Sequence, residues 1–166
     1  MRIEIRYALI MGLIAFLWTV GEYIIGLHTV HIDLHPYLSN LFIPVPIYFT
    51  YKTIAEKKKE KGGIISYKFA FLSGFLMAVI GAPLALLGHI IYVQFINPMF
   101  YSDMIAYGMT QIVANTDKVL AEKELSDYFN LMSYSVQIIM SIIGGGAFFS
   151  AIIAWFMRTK NLLTVS

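Results

Sequence analysis

Charged positions along the chain are sparse and clustered, and the gaps between clusters set the elements. Between Arg6 and His28 lie 21 residues broken by one acid, Glu22; between Asp33 and Lys52 lie 18, including Pro44 and Pro46. Between Lys68 and Asp103 lie 34 residues without Asp, Glu, Lys or Arg, and between Asp127 and Arg158 lie 30 more. Each gap is long enough for a membrane-crossing helix of about 17 to 25 residues. The pattern predicts an all-α, integral membrane four-helix bundle forming one domain over 1–166, with spans at about 7–27, 37–54, 67–96 and 128–157 and an outer loop at about 97–127. In the second span the prolines would interrupt a helix in water. Inside a bundle, neighbours re-satisfy the freed backbone groups, so the expectation is a kinked crossing.

The loop between the third and fourth helices carries its own periodicity. Asn97-Pro98 ends helix three. Ser102 and Asp103 then offer a cap to a segment in which Met104, Ile105, Met109, Ile112 and Val113 recur at helical spacing, opposite Tyr107, Thr110 and Gln111. This predicts a short amphipathic helix on the outer surface or over the bundle mouth. Thr116-Asp117 offers a cap for a charged turn, Lys118 to Leu125, and Ser126 a start for helix four. Small residues form stripes on the long segments: Ala8, Gly12, Ala15 and Thr19 in the first, Ala70, Gly74, Ala78 and Ala82 in the third, and Ser141, Gly145, Gly146, Ser150 and Ala154 in the fourth. Such stripes permit close backbone approach. The run Gly144 to Gly146 has no charged neighbour and reads as tight packing or a hinge rather than an unwound ion site.

Composition excludes a water-soluble globule. Of 166 residues, 58% are hydrophobic and 13% charged, against roughly 25% charged in a soluble domain. Four spans consume about half of the chain and leave little for a separate catalytic domain. The absence of cysteine excludes disulfides, thiolate metal sites and cysteine nucleophiles. The first apolar run is longer than a signal peptide core and lacks an Ala-x-Ala cleavage site, so it reads as a retained helix. Arg2, Arg6, Lys52, Lys57, Lys58, Lys59, Lys61, Lys68, Arg158 and Lys160 all fall on one side of a four-span topology, leaving Lys118 and Lys123 opposite. By the positive-inside rule both termini are cytoplasmic. The lysine run at 57–61 reads as a topology anchor, and no nucleic-acid partner is expected.

The stretch Gly62-Gly63-Ile64-Ile65-Ser66-Tyr67-Lys68-Phe69-Ala70, leading into a helix with Gly74, is followed by Ile91-Tyr92 with Phe95-Ile96-Asn97-Pro98 and by a glycine-rich fourth helix ending in basic residues. Over roughly Tyr7 to Lys160 the chain resembles the bacterial domain-of-unknown-function family 4199. The resemblance implies a four-span protein of the bacterial inner membrane with no assigned activity, and it transfers no catalytic residue. Physically, Gly62-Gly63 suits a tight turn with positive φ, and Ser66 can cap helix three.

Candidate chemistry is thin. No phosphate loop, nucleophile elbow or His-Glu-x-x-His motif occurs, so no enzymatic activity and no cofactor are expected. His28, His31 and His35 recur at helical steps of three and four, so a helix one extended past His28 would present three imidazoles to a zinc or copper ion, although Pro36 disfavours helix at His35. Glu22 and His89 are the strongly titratable side chains deep in the spans; both lie on small-residue faces, at depths that permit a pair. Two function classes follow. One is a scaffold or accessory subunit whose small-residue faces (Gly12, Gly74, Ala78, Ala82, Gly145, Gly146) and outer loop hold another membrane protein or lipid. The other is a small oligomeric carrier or channel using Glu22 and His89.

Overall fold

The computed structural model describes residues 2–113 and 117–159, all helix and turn; Thr116, read above as half of a cap, and the basic Lys160 lie outside the described residues. Helix α1, Ile3–Ile24, ends in a left-handed glycine. Gly26 has φ +84, its N–H bonds Tyr23 O at 2.9 Å, and the Leu27 N–H bonds Glu22 O at 2.9 Å. This paired closure satisfies the last carbonyls and turns the chain away from the helix axis. It overturns the expectation of an extended helix one, since His28, His31 and His35 no longer share a helical face.

From Ile32 to Phe42 the chain runs through three short turns, Ile32–Leu34, His35–Leu38 and Ser39–Phe42, before α2, Pro44–Glu60. The second expected span is therefore divided. Pro44 opens α2 at the start of its first turn, where a missing N–H costs nothing, so the proline marks a helix start instead of a kink. Helix α3, Tyr67–Ile91, begins with Ser66 Oγ accepting the Phe69 N–H at 3.3 Å, follows a turn with Gly62 at φ +70 and Gly63 at φ +86, and continues as a wider π turn over Tyr92–Ile96.

Helix α4, Phe100–Thr110, starts earlier than Ser102-Asp103 suggested, because the Phe100 N–H bonds Asn97 O at 3.1 Å as the chain leaves the Asn-Pro turn. Ser102 instead donates to Met99 O at 2.7 Å. Asp117 caps α5, Lys118–Tyr128, accepting from Val119 and Leu120. Ser126 is interior to α5 and donates to Glu122 O at 2.8 Å; Asn130 caps α6, Leu131–Met157, accepting from Ser133 N at 2.9 Å.

Among the described residues, three helical stretches are long and apolar enough to cross a membrane: Ile3–Ile24, Tyr67–Ile96 and Leu131–Met157. Helix α3 is the hub, packed against α6, α1 and α2, and α2 also touches α1 and α6. Polarity is inverted relative to a soluble domain. Glu4, Glu22, His28, Thr50, Thr53, Ser73 and Ser150 are buried, whereas Leu17 is 56% exposed, Met140 66% and Phe156 79%. That arrangement suits a hydrocarbon surround, where inner polar groups need partners and outer apolar ones do not.

The seams rest on small residues. A Cβ added at Gly74 would lie 2.5 Å from Ser150 Oγ and 3.0 Å from Thr50 Cγ2, one at Gly12 3.1 Å from Leu84 Cβ, and one at Gly146 would fall on the Ala78 methyl. Ala78 and Ala82 are buried in the same row of α3. Gly145 has open space at its Cβ position, and α6 runs unbroken through Gly144 to Gly146. At the end holding the 62–63 turn, Lys58 donates to Met157 O at 2.9 Å, the Thr159 N–H to Ile65 O at 2.9 Å, and Arg6 and Tyr7 to Glu56.

Candidate functional site

At the opposite end from those ties, the Gly26 reversal folds His28 back over the last turn of α1. His28 is 2% exposed and Glu22 7%. The short turns that follow return His35 and Ser39 to the same place. Glu22, His28 and His35 each offer one ligand atom, and these atoms all lie within 4.8 Å of one another.

Each group is held by neighbours from separate elements. Glu22 Oε1 accepts from Trp18 Nε1 at 2.7 Å, one helical turn back, and from Ser39 Oγ at 2.5 Å. Its other oxygen, Oε2, faces His28 Nε2 at 3.5 Å. His28 Nδ1 is hydrogen-bonded to Tyr92 Oη at 2.6 Å, and Asn97 Nδ2 donates to that same phenol at 3.0 Å. The π turn places Tyr92 and Asn97 together. The His28 and His35 rings meet at 4.9 Å between centroids, and Phe100 of α4 packs edge-on against His28 at 5.3 Å. Burial and the neighbouring His28 imidazole hold His35 below the usual histidine range, so its ring is neutral near pH 7.

His89 lines the same space without touching the carboxylate. Its Nε2 is bonded to Tyr101 Oη at 2.7 Å, its ring stacks on Tyr134 at 5.0 Å, and burial pushes the Tyr101 phenol up to about 12. Glu22, His28, His35, His89, Tyr92 and Tyr134 all border one cavity of about 200 Å³. A second, apolar cavity of about 230 Å³, bordered by Gly12, Ala78, Gly81, Gly145 and Gly146, shares the Ala15 and Ala85 walls with it.

Sequence spacing singled out His28, His31 and His35 together and Glu22 with His89. Of these, Glu22, His28 and His35 form the cluster, His89 joins the cavity wall, and His31 is exposed on the turn. Trp18 could have been found four residues before Glu22 on the same helix face. Ser39, Tyr92 and Asn97 carried no such signal, because they reach the site through a chain reversal and a π turn.

Chemically, the arrangement offers one carboxylate oxygen and two imidazoles at the wall of one cavity. Among the described residues no lysine or arginine borders it. The family model described as "Protein of unknown function (DUF4199)" matches residues 6–159, and the chain belongs to that family. No curated protein and no solved structure matches the chain.

Proposed function

We propose that this protein is a non-enzymatic, multi-pass protein of the bacterial inner membrane that takes up a small cationic solute in the cavity bordered by Glu22 and His89. The observation that carries this reading is the convergence of Glu22, His28, His35 and His89 on one cavity, when a purely mechanical scaffold has no need to gather four titratable groups, two buried and two half-buried, in one place. The small-residue faces support it as well. Gly12, Gly74 and Gly146 are spent on contacts within the chain, which removes the main surface a scaffold would have offered to a partner. In this reading α2 is the fourth crossing of a four-helix bundle, both termini are cytoplasmic, and lipid or a second copy of the chain covers the apolar outside. The gathering of Arg2, Arg6, Lys57, Lys58 and Arg158 at one end supports that orientation.

Alkaline phosphatase fused near Asp117 should be active, and an active fusion at Ser166 would overturn the topology. For function, the protein purified in mild detergent and reconstituted in liposomes should move cations in a way that Glu22→Gln abolishes. Unchanged flux in Glu22→Gln, or copurification of a stoichiometric second protein with no flux at all, would return the scaffold reading to first place.

A further inference from the structure

Glu22 and His28 are spaced less like a hydrogen-bonded pair than like two ligands of one ion, and His35 offers a third ligand atom within 4.8 Å. The Glu22 Oε2 to His28 Nε2 separation of 3.5 Å exceeds an ordinary N–H···O bond of about 2.7–3.2 Å. It is close to the edge of a tetrahedron around a metal with bonds of about 2.0–2.1 Å, which is about 3.4 Å. The remaining polar atoms of both residues are already engaged. Trp18 and Ser39 both donate to Oε1 and leave Oε2 free; Tyr92 holds Nδ1 of His28 and leaves Nε2 free. Asn97 in turn fixes the Tyr92 phenol. Outer partners that orient each ligand and dictate which atom faces inward are the usual surround of a bound metal.

The donor set points the same way. The cavity wall offers one carboxylate and imidazoles, with no lysine or arginine among the described residues, and two imidazoles with one carboxylate suit a divalent ion such as zinc and its neighbours far better than magnesium or calcium. The cavity, about 200 Å³, has room for a water molecule, about 30 Å³, as a further ligand.

We propose that Glu22 Oε2, His28 Nε2 and an imidazole nitrogen of His35 bind one divalent transition-metal ion, with Trp18, Ser39, Tyr92 and Asn97 as positioning residues. The inference rests on the reading of this cavity as a solute site and names the class of its occupant.

The test is calorimetric titration of the full chain in detergent with zinc chloride, after chelator treatment. One saturable equivalent in the micromolar range or tighter is expected. Glu22→Gln and His35→Gln should each weaken binding at least tenfold, and His31→Gln, on the exposed turn, should leave it unchanged. Because His28 is buried at 2% exposure and its replacement disturbs packing, a second readout uses the wild-type chain: cobalt(II) should give the intense visible absorption of a four-coordinate site, displaced by one equivalent of zinc. No saturable binding, or equal weakening by His31→Gln, overturns the metal site. Magnesium competing with zinc at equal concentration would overturn its transition-metal character. If zinc fails to bind but cation flux in liposomes still depends on Glu22, the metal inference falls while the solute reading stands; if both fail, the solute reading falls too.

Discussion

Two buried glutamates stand near opposite ends of α1, Glu4 at 2% exposure and Glu22 at 7%, and they are partnered differently. Glu4 Oε1 accepts from Ser73 Oγ at 3.1 Å and lies 3.4 Å from Lys57 Nζ, which also pairs with Glu60 at 2.8 Å. Glu22 has hydroxyl, indole and imidazole partners but, among the described residues, no ammonium or guanidinium. A lysine brings a charge that stays at any physiological pH, so the Glu4 carboxylate is held by a permanent cation. Imidazoles bring lone pairs that a proton or a metal can occupy in turn. The same residue type in the same helix therefore serves as a rivet at one end and as a socket at the other.

The strongest way to disturb both ends is to leave the carboxylates alone and part the helices between them. Gly74→Leu puts a side chain where a single Cβ already lies 2.5 Å from Ser150 Oγ. Ser150 Oγ is buried and without a partner among the described residues, and Thr50 Cγ2 at 3.0 Å and Ile54 Cδ1 at 3.1 Å crowd the same point. Overpacking of this kind costs about 3 kcal/mol. Thermal unfolding in detergent should show a clear drop in Tm, and an unchanged Tm would place Gly74 against lipid.

Next in size is removal of the rivet. Lys57→Met leaves Glu4 buried with one oxygen, Oε2, already lacking a hydrogen-bond partner among the described residues. Breaking a fully buried pair costs about 3–5 kcal/mol, and partial exposure of Lys57 and its second partner Glu60 reduce that to about 2 kcal/mol. Adding Glu4→Gln should recover part of the loss, which a double-mutant cycle measures. If Lys57→Met unfolds at the wild-type temperature, Glu4 does not depend on a permanent cation and the two ends are alike.

Glu22→Gln should cost less, about 1 kcal/mol without metal, because an amide oxygen still accepts from Trp18 and Ser39. Its signature is elsewhere: the stabilisation that zinc gives the wild type should vanish. A loss as large as that of Lys57→Met would mean that Glu22 is structural.

The same contrast explains what could be read from the chain. The long apolar gaps gave α1, α3 and α6, and Ser66, Gly62-Gly63 and Asn97-Pro98 marked their boundaries, because those signals are local. The span expected at 37–54 is divided before Pro44, a break the pattern hides because hydropathy alone does not distinguish one continuous helix from short turns followed by a helix, and Pro44 begins that helix. Glu22 and His28 were visible as polar residues near a span end. Their approach required Gly26 to adopt a positive φ, a conformation that histidine spacing does not reveal. Glu4 and Lys57 meet across 53 positions of chain, and helical periodicity says nothing about contacts between helices.

The smallest expected effect concerns Glu22 and His89, which spacing presented as a possible pair. They border one cavity, but the hydrogen bonds go elsewhere: Glu22 to Trp18 and Ser39, His89 to Tyr101. Residues whose hydrogen-bond partners are separate perturb stability independently, within about 0.5 kcal/mol, unless the shared cavity couples them. His89→Gln should therefore destabilise by its own lost contact with Tyr101 and its stacking on Tyr134, and the double variant with Glu22→Gln by the sum of the two single effects. A coupling well above that margin would show that the two groups interact energetically. The cavity would then hold a coupled pair, and the socket at this end of α1 would extend from α1 to α3.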